Sequence, residues 1–206
     1  MARFNLKKGD RFKLDKREGL NNLQVHLTWD DTPDDPMDLD SSTFLLGDDG
    51  VITRDEDFVF YNSENRQEPY DRVKFGAKKN WLKEIRPMSA DGSVLGSIDK
   101  LDGSDDEGEL IDVCLDKLDA TIREIMFVAT VFTKGKTFGD VKHATITLIN
   151  ADNGEELCAY ELNEKFANED AAEIARLFLN DDGEWEFEAV GVGHEGGLQT
   201  LIDLFA

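Results

Sequence analysis

Period-two alternation of apolar and polar residues constrains this chain most, because only an extended strand places every second side chain on one face. In Leu23-Gln24-Val25-His26-Leu27-Thr28-Trp29, the residues Leu23, Val25, Leu27 and Trp29 share a face, while Gln24, His26 and Thr28 point the other way. Near the C-terminus Trp185, Phe187 and Ala189 alternate with Glu184, Glu186 and Glu188. The second half of 122–132 is apolar on both faces, which predicts a central strand covered on both sides. Further strands are expected over 11–14, 43–46, 57–61, 110–115, 143–149 and 157–162, punctuated by Asp49-Gly50, Asn153-Gly154 and Asp182-Gly183 turns. Helix signals are few. Asn168 ahead of Glu169 and Asp170 reads as an N-cap, with Ala171, Ile174, Ala175, Leu177 and Phe178 at helical spacing, and a second short helix is expected over 198–205. The pattern defines an all-β-dominated fold: a β-sandwich of two sheets with one or two short helices near the C-terminus.

The order strand, loop, strand, Asp/Asn-Gly turn, strand occurs twice, over 23–61 and again over 125–162, and suggests an internal repeat. The loops of the two copies differ. The first carries Asp30, Asp31, Asp34, Asp35, Asp38 and Asp40; the second carries Lys134, Lys136, Asp140 and Lys142.

That difference matters because the chain is strongly acidic, with 45 Asp plus Glu against 23 Lys plus Arg in 206 residues and a formal net charge of −22. Such a charge repels phosphate backbones and anionic lipid, so nucleic acid and membrane surfaces are disfavoured as partners. No apolar run approaches the ~20 residues that span a bilayer, and MARFNLKKGD lacks the apolar stretch of a signal peptide; a cytoplasmic protein is expected. A hydrophobic fraction of 40% suffices for one core over 1–206. Cys114 and Cys158 read as small buried residues rather than a disulfide or a nucleophile.

Carboxylates concentrate in two segments, 30–42 and 99–109, both at the ends of expected strands. Charges packed so tightly repel one another unless a cation sits among them, and calcium takes ~6–8 oxygen ligands from loops of this composition. Neither segment is an EF-hand: a loop starting at Asp38 has Thr43 at the glycine position and Asp49 at the terminal glutamate position. Asp38 and Asp40 flank apolar Leu39 at the head of a strand, which aims both carboxylates from a rigid edge.

Several motifs in order carry a family resemblance: Leu6-Lys7-Lys8-Gly9-Asp10, Trp29-Asp30, Asp38-Leu39-Asp40-Ser41-Ser42-Thr43-Phe44-Leu45-Leu46, Asp57-Phe58-Val59-Phe60-Tyr61-Asn62, Asp105-Asp106-Glu107, Phe138-Gly139, and Glu184-Trp185 on to Gly196-Gly197-Leu198. Together they resemble the tellurite-resistance TerD family over nearly the whole chain. The resemblance implies a single β-sandwich domain, no catalytic activity, and a place in bacterial stress responses to tellurite, chemical damage, phage and colicins. It also implies calcium, one or two ions, held by Asp30, Asp38 and Asp40 in the first loop and by Asp105, Asp106 and Glu107 in the second. The family's Gly-Asp-Asn segment ahead of the second loop is replaced here by Gly96-Ser97-Ile98-Asp99, where Asp99, or Asp91 upstream, stands in.

A second reading leaves both loops bare. The segment 72–86 is basic and aromatic, with Lys78, Lys79, Trp81 and Lys83 as candidate contacts to a protein partner or a second copy, inside an insert at about 72–93. Other motifs carry no chemistry. Gly191-Val192-Gly193-His194-Glu195-Gly196 matches the dinucleotide fingerprint but lacks the second strand and distant acid that such a site requires. His26, His143 and His194 accompany no hydrolase or zinc-protease motif. The expected protein is not an enzyme.

Overall fold

The computed structural model describes residues 3–14, 19–30, 36–67, 85–98, 108–162, 166 and 168–206. Among them the strands run β1 (Phe4–Leu6), β2 (Arg11–Lys13), β3 (Asn22–Asp30), β4 (Leu39–Leu46), β5 (Phe58–Val59), β6 (Val94–Leu95), β7 (Glu109–Cys114), β8 (Glu124–Val131), β9 (Lys142–Asn150), β10 (Glu155–Glu161), β11 (Ala171–Leu179) and β12 (Trp185–His194). They form two six-stranded sheets, β1-β10-β9-β3-β7-β6 and β2-β12-β11-β8-β4-β5. Pairing is antiparallel throughout except between β1 and β10. Leu23, Val25 and Leu27 of β3, Ile111 and Val113 of β7, and Ile146 and Leu148 of β9 meet Leu39 and Leu45 of β4, Ile125 and Phe127 of β8 and Phe187 of β12 in one shared core. This is the expected sandwich.

The second sheet is buried on its outer face as well. The helix α1 (Gly197–Phe205) lays Leu201 and Phe205 over Phe44, Leu46, Met126, Val128 and Ala171. That double burial explains why β8 reads as a continuous apolar run rather than an alternating one, and why β4 is buried almost throughout despite Ser41, Ser42 and Thr43.

The helix expected from the Asn168 cap onward is instead the strand β11. It lies between β12 and β8, with Ala172, Ile174, Ala175 and Leu177 in the shared core and Arg176 on the outer face, paired with Glu124 and Glu188. A β-bulge between Glu173 and Ala175 inserts one residue and turns both Ile174 and Ala175 toward the shared core with Ala172 and Leu177. Buried positions at 171, 172, 174, 175 and 177 therefore imitate a 3.6-residue period without a helix. The acids that looked like a first turn serve elsewhere: Asp170 Oδ1 accepts the Gly196 and Gly197 amides and so caps α1.

The two repeated units are placed crosswise. In the first, β3 belongs to one sheet and the β4–β5 pair to the other; in the second, β8 belongs to the sheet of β4, and the β9–β10 hairpin to that of β3. Each unit's leading strand pairs with the other unit's middle strand, β3 with β9 and β8 with β4. Each unit thus crosses once between sheets, and the acidic loop is the crossing between β3 and β4.

Because α1 supplies the cover of the second sheet, Leu201→Ala is expected to cost about 2–5 kcal/mol in urea unfolding. A loss below about 1 kcal/mol would show that the helix is not held on the sheet by this side chain.

Candidate functional site: a buried carboxylate between two acidic loops

The strands β3, β4 and β7 converge at one end of the sandwich. Segment 31–35 leaves from Asp30 at the end of β3 and returns ahead of β4; segment 99–107 leaves after Ile98 and returns at Gly108, next to β7. The Trp29 indole Nε1 donates to the Met37 carbonyl at 3.1 Å, which holds Asp30 and Asp38 on either side of one tie. The Asp38 amide donates to Thr133 Oγ1 at 2.8 Å, and the Phe132 amide to the Asp38 carbonyl at 2.8 Å, so β8 fixes the head of β4. Leu39 is buried, with Asp38 and Asp40 partly exposed on either side of it, as the alternation predicts. Asp40 has the strand parity of Ser42 and Phe44, whereas Ser41 has that of Leu39 and Leu45, which face the other sheet.

From the opposite sheet, Glu109 meets Ser41. Its side chain is buried and accepts the Ser41 hydroxyl at 3.0 Å, a direct link between β4 and β7. Burial pushes the Glu109 carboxyl up to about 8, against hydrogen bonds from Ser97 and Ser41 that pull it down, and the nearby Asp40 charge adds to the rise. Among the described residues no Lys or Arg pairs with it. Gly108 makes this placement possible. Its φ of 58° and its approach to the Leu27 carbonyl, which an added Cβ would meet at 2.1 Å, admit no side chain.

Glu109 is not among the site residues expected from the sequence, where it reads as one more loop carboxylate ahead of a strand starting at Leu110. The signal was present in the alternation: Glu109, Ile111 and Val113 occupy successive inward positions of β7, and a carboxylate at an inward position must have a partner. Asp91 is engaged within its own turn and by the Asp119 amide. Its carboxylate accepts Ser89 Oγ at 2.7 Å, Ser93 N at 2.9 Å, Ser93 Oγ at 2.6 Å and Asp119 N at 2.8 Å. Burial works to raise it, and these hydrogen bonds outweigh burial and leave it below the usual range.

Asp30 pairs in register with Lys142 and lies 4.0 Å from His143 Nε2. Asp99, Asp105, Asp106 and Glu107 lie outside the described residues, as do Lys78, Lys79, Trp81 and Lys83. Among the described residues no three His, Cys, Asp or Glu side chains are grouped to hold a metal ion. Both cysteines are unpaired, and burial pushes the Cys158 thiol up to about 12. His194 is paired with Glu173 at 2.7 Å. The Gly191–Gly196 motif divides between β12 and the lead-in to α1, as structural glycines do. No helix among the described residues is long and apolar enough to cross a membrane.

A sandwich of two six-stranded sheets with a helix over one outer face defines a class, and comparison with known proteins identifies it. The TerD domain family model matches residues 1–84 and 85–205. The tellurium resistance protein TerD of Serratia marcescens is 33% identical over 204 residues, covering 96% of this chain and 94% of that protein. General stress protein 16U of Bacillus subtilis (strain 168) is 33% identical over 206 residues, covering 96% and 94%. A crystal structure of a TerD homologue from Streptomyces coelicolor A3(2) shares the fold with a TM-score of 0.60 at 20% identity, over 89% of this chain and 95% of that one. The chain belongs to the TerD domain family.

The raised Glu109 carboxyl has a signed consequence. Between its ordinary 4.5 and about 8, the folded chain keeps a proton that the unfolded chain has released, so rising pH removes stability through this group, by about 1.4 kcal/mol per unit at most. In chelator, wild type should therefore lose stability relative to Glu109→Gln between pH 5 and pH 8. Parallel urea-denaturation profiles across that window would refute the assignment.

Proposed function

We propose that this chain is a non-catalytic, calcium-binding stress-response protein, and that calcium is held where the two acidic loops meet. The observation that carries the reading is Glu109: a carboxylate buried between the sheets, bonded only to hydroxyl and amide groups among the described residues, at the shared base of both acidic segments. The donor set suits a hard cation. Glu109, Ser41, Ser97, Asp38 and Asp40 offer oxygen alone. Asp30, Asp38 and Asp40 from the first loop, and Asp99, Asp105, Asp106, Glu107 and Glu109 from the second, would hold the ion. Calcium bound there would supply the positive charge that turns repulsion between the loops into cohesion.

The chain's own residues prepare this. Ser41 and Ser97 orient Glu109, Gly108 lets the backbone ahead of Glu109 lie against Leu27 of β3, and the Trp29–Met37 and Asp38–Thr133 bonds hold the residues that flank the first acidic segment. The printed names of the relatives, a tellurium resistance protein and a general stress protein, support the stress-response part.

Calcium at a hundred times its dissociation constant should stabilise the fold by about 2.7 kcal/mol. For a chain of this size that raises Tm by roughly 5–10 °C. Asp40→Ala and Glu109→Gln should each remove most of the rise. Scanning fluorimetry with millimolar calcium against chelator decides it, and an unchanged Tm in calcium would overturn the reading.

A further inference from the structure

Arg86 ends the basic stretch that the sequence offers as a partner surface, yet its guanidinium is spent inside the molecule. Nε donates to the Gly96 carbonyl at 2.8 Å, Nη2 to the Leu95 and Leu110 carbonyls at 2.8 and 2.9 Å, and Nη1 pairs with the Asp112 carboxylate. These acceptors lie on both sides of one gap. The β6–β7 ladder consists of Val94 with Val113 and Leu95 with Asp112, and stops there. Beyond it Ser97 and Glu109, the two residues that must meet, have no regular backbone pairing; the Leu110 amide instead donates to Ser97 Oγ at 3.4 Å. The guanidinium spans this gap, holding Gly96 next to Ser97 and Leu110 next to Glu109. Gly96 itself is packed so closely on Pro87 and Val59 that a Cβ would lie 2.8 and 3.0 Å from them.

We propose that Arg86 is the positioning residue of the Glu109 site. It continues the β6–β7 pairing with side-chain donors where the backbone ladder ends, and so fixes the distance between the strands from which segment 99–107 departs and to which it returns. The assignment of a calcium-binding role to Arg86 rests on the reading of the preceding subsection. A lysine keeps the charge but offers three donors from one nitrogen, and cannot reach acceptors spread over four residues as the planar five-donor fork does.

The test uses the full chain as Arg86→Lys, with Arg176→Lys as the structural control. Arg176 is similarly engaged, with Glu124 at 2.9 Å and Glu188 at 2.8 Å, but in the other sheet and away from the site. Calorimetric titration with calcium, at a temperature where every variant is folded, is expected to show R86K binding about 10-fold or more weakly, as supporting residues behind metal ligands usually do. R176K should lower Tm in chelator while its calcium affinity stays within about twofold of wild type. Equal affinity for R86K and wild type, or equal weakening by R176K, overturns the proposal. If R86K does not fold, Asp112→Ala removes one acceptor of the fork and should weaken calcium severalfold; unchanged binding overturns the proposal equally. If wild type itself takes up no calcium, the functional reading falls, and Arg86 is judged by amide hydrogen exchange in chelator. Exchange at Leu110 at least tenfold faster in R86K than in R176K sustains the positioning role, and equal exchange refutes it.

Discussion

Moving a carboxylate out of water costs several kcal/mol unless hydrogen bonds or a counter-charge offset it. Glu109 imposes that cost at the place where the two sheets come closest to their loops, and much of the local architecture answers it. The Ser41 hydroxyl crosses from the opposite sheet, Ser97 approaches from the end of β6, and Gly108 gives up a side chain so that the backbone can lie against β3. What hydroxyls leave uncompensated stands as a raised proton affinity. An end of the sandwich so arranged is a poor place for a bare anion and a good one for a cation.

The surplus of acid is not one feature. Away from this end, several carboxylates are matched to cations and amides. Asp57 is fully buried but receives Arg54 Nε at 3.0 Å and Nη2 at 3.2 Å as well as Thr53 Oγ1 at 3.0 Å. Glu124 and Glu188 share Arg176, whose guanidinium also lies 4.6 Å over the Phe178 ring. Asp91 and Asp170 are consumed by turns and by the cap of α1. Against that pattern of local satisfaction, a buried glutamate with hydroxyl partners stands apart for a physical reason rather than for its sequence neighbourhood.

What the sequence made legible follows from which faces are wet. β3 and β12 have one polar face and show themselves by alternation; β8, dry on both faces, is recognisable by its unbroken apolar run. In β11 small alanines and a bulge give the core-facing residues a helical spacing, and only pairing with β8 and β12 resolves it. The alternation of Asp38 and Asp40 about Leu39 was readable, but the strand begins at Leu39 and was expected only from residue 43, because Asp40, Ser41 and Ser42 mask its first half. Glu109 was not readable, since a carboxylate beside Asp105, Asp106 and Glu107 looks like loop until the strand that buries it is known. Arg86 was invisible for a related reason: side-chain donors that replace a backbone ladder leave no periodic trace.

The crosswise repeat explains why the acid lies where it does. Each unit passes once from sheet to sheet, and the two passages lie side by side: Thr133 receives the Asp38 amide, Phe132 donates to the Asp38 carbonyl, and Lys142 pairs in register with Asp30. The β8–β9 crossing closes on itself through the Thr137–Asp140 capping box and the Lys136–Asp140 pair. It also supports the head of β4 through the Thr133 hydroxyl and the Phe132 amide, while Ser41 of that strand meets Glu109 from the other sheet. Two crossings of the same topology thus differ chemically: the β8–β9 one satisfies its own acid locally, whereas the β3–β4 one is flanked by Asp30, Asp38 and Asp40 and is tied down from its neighbours.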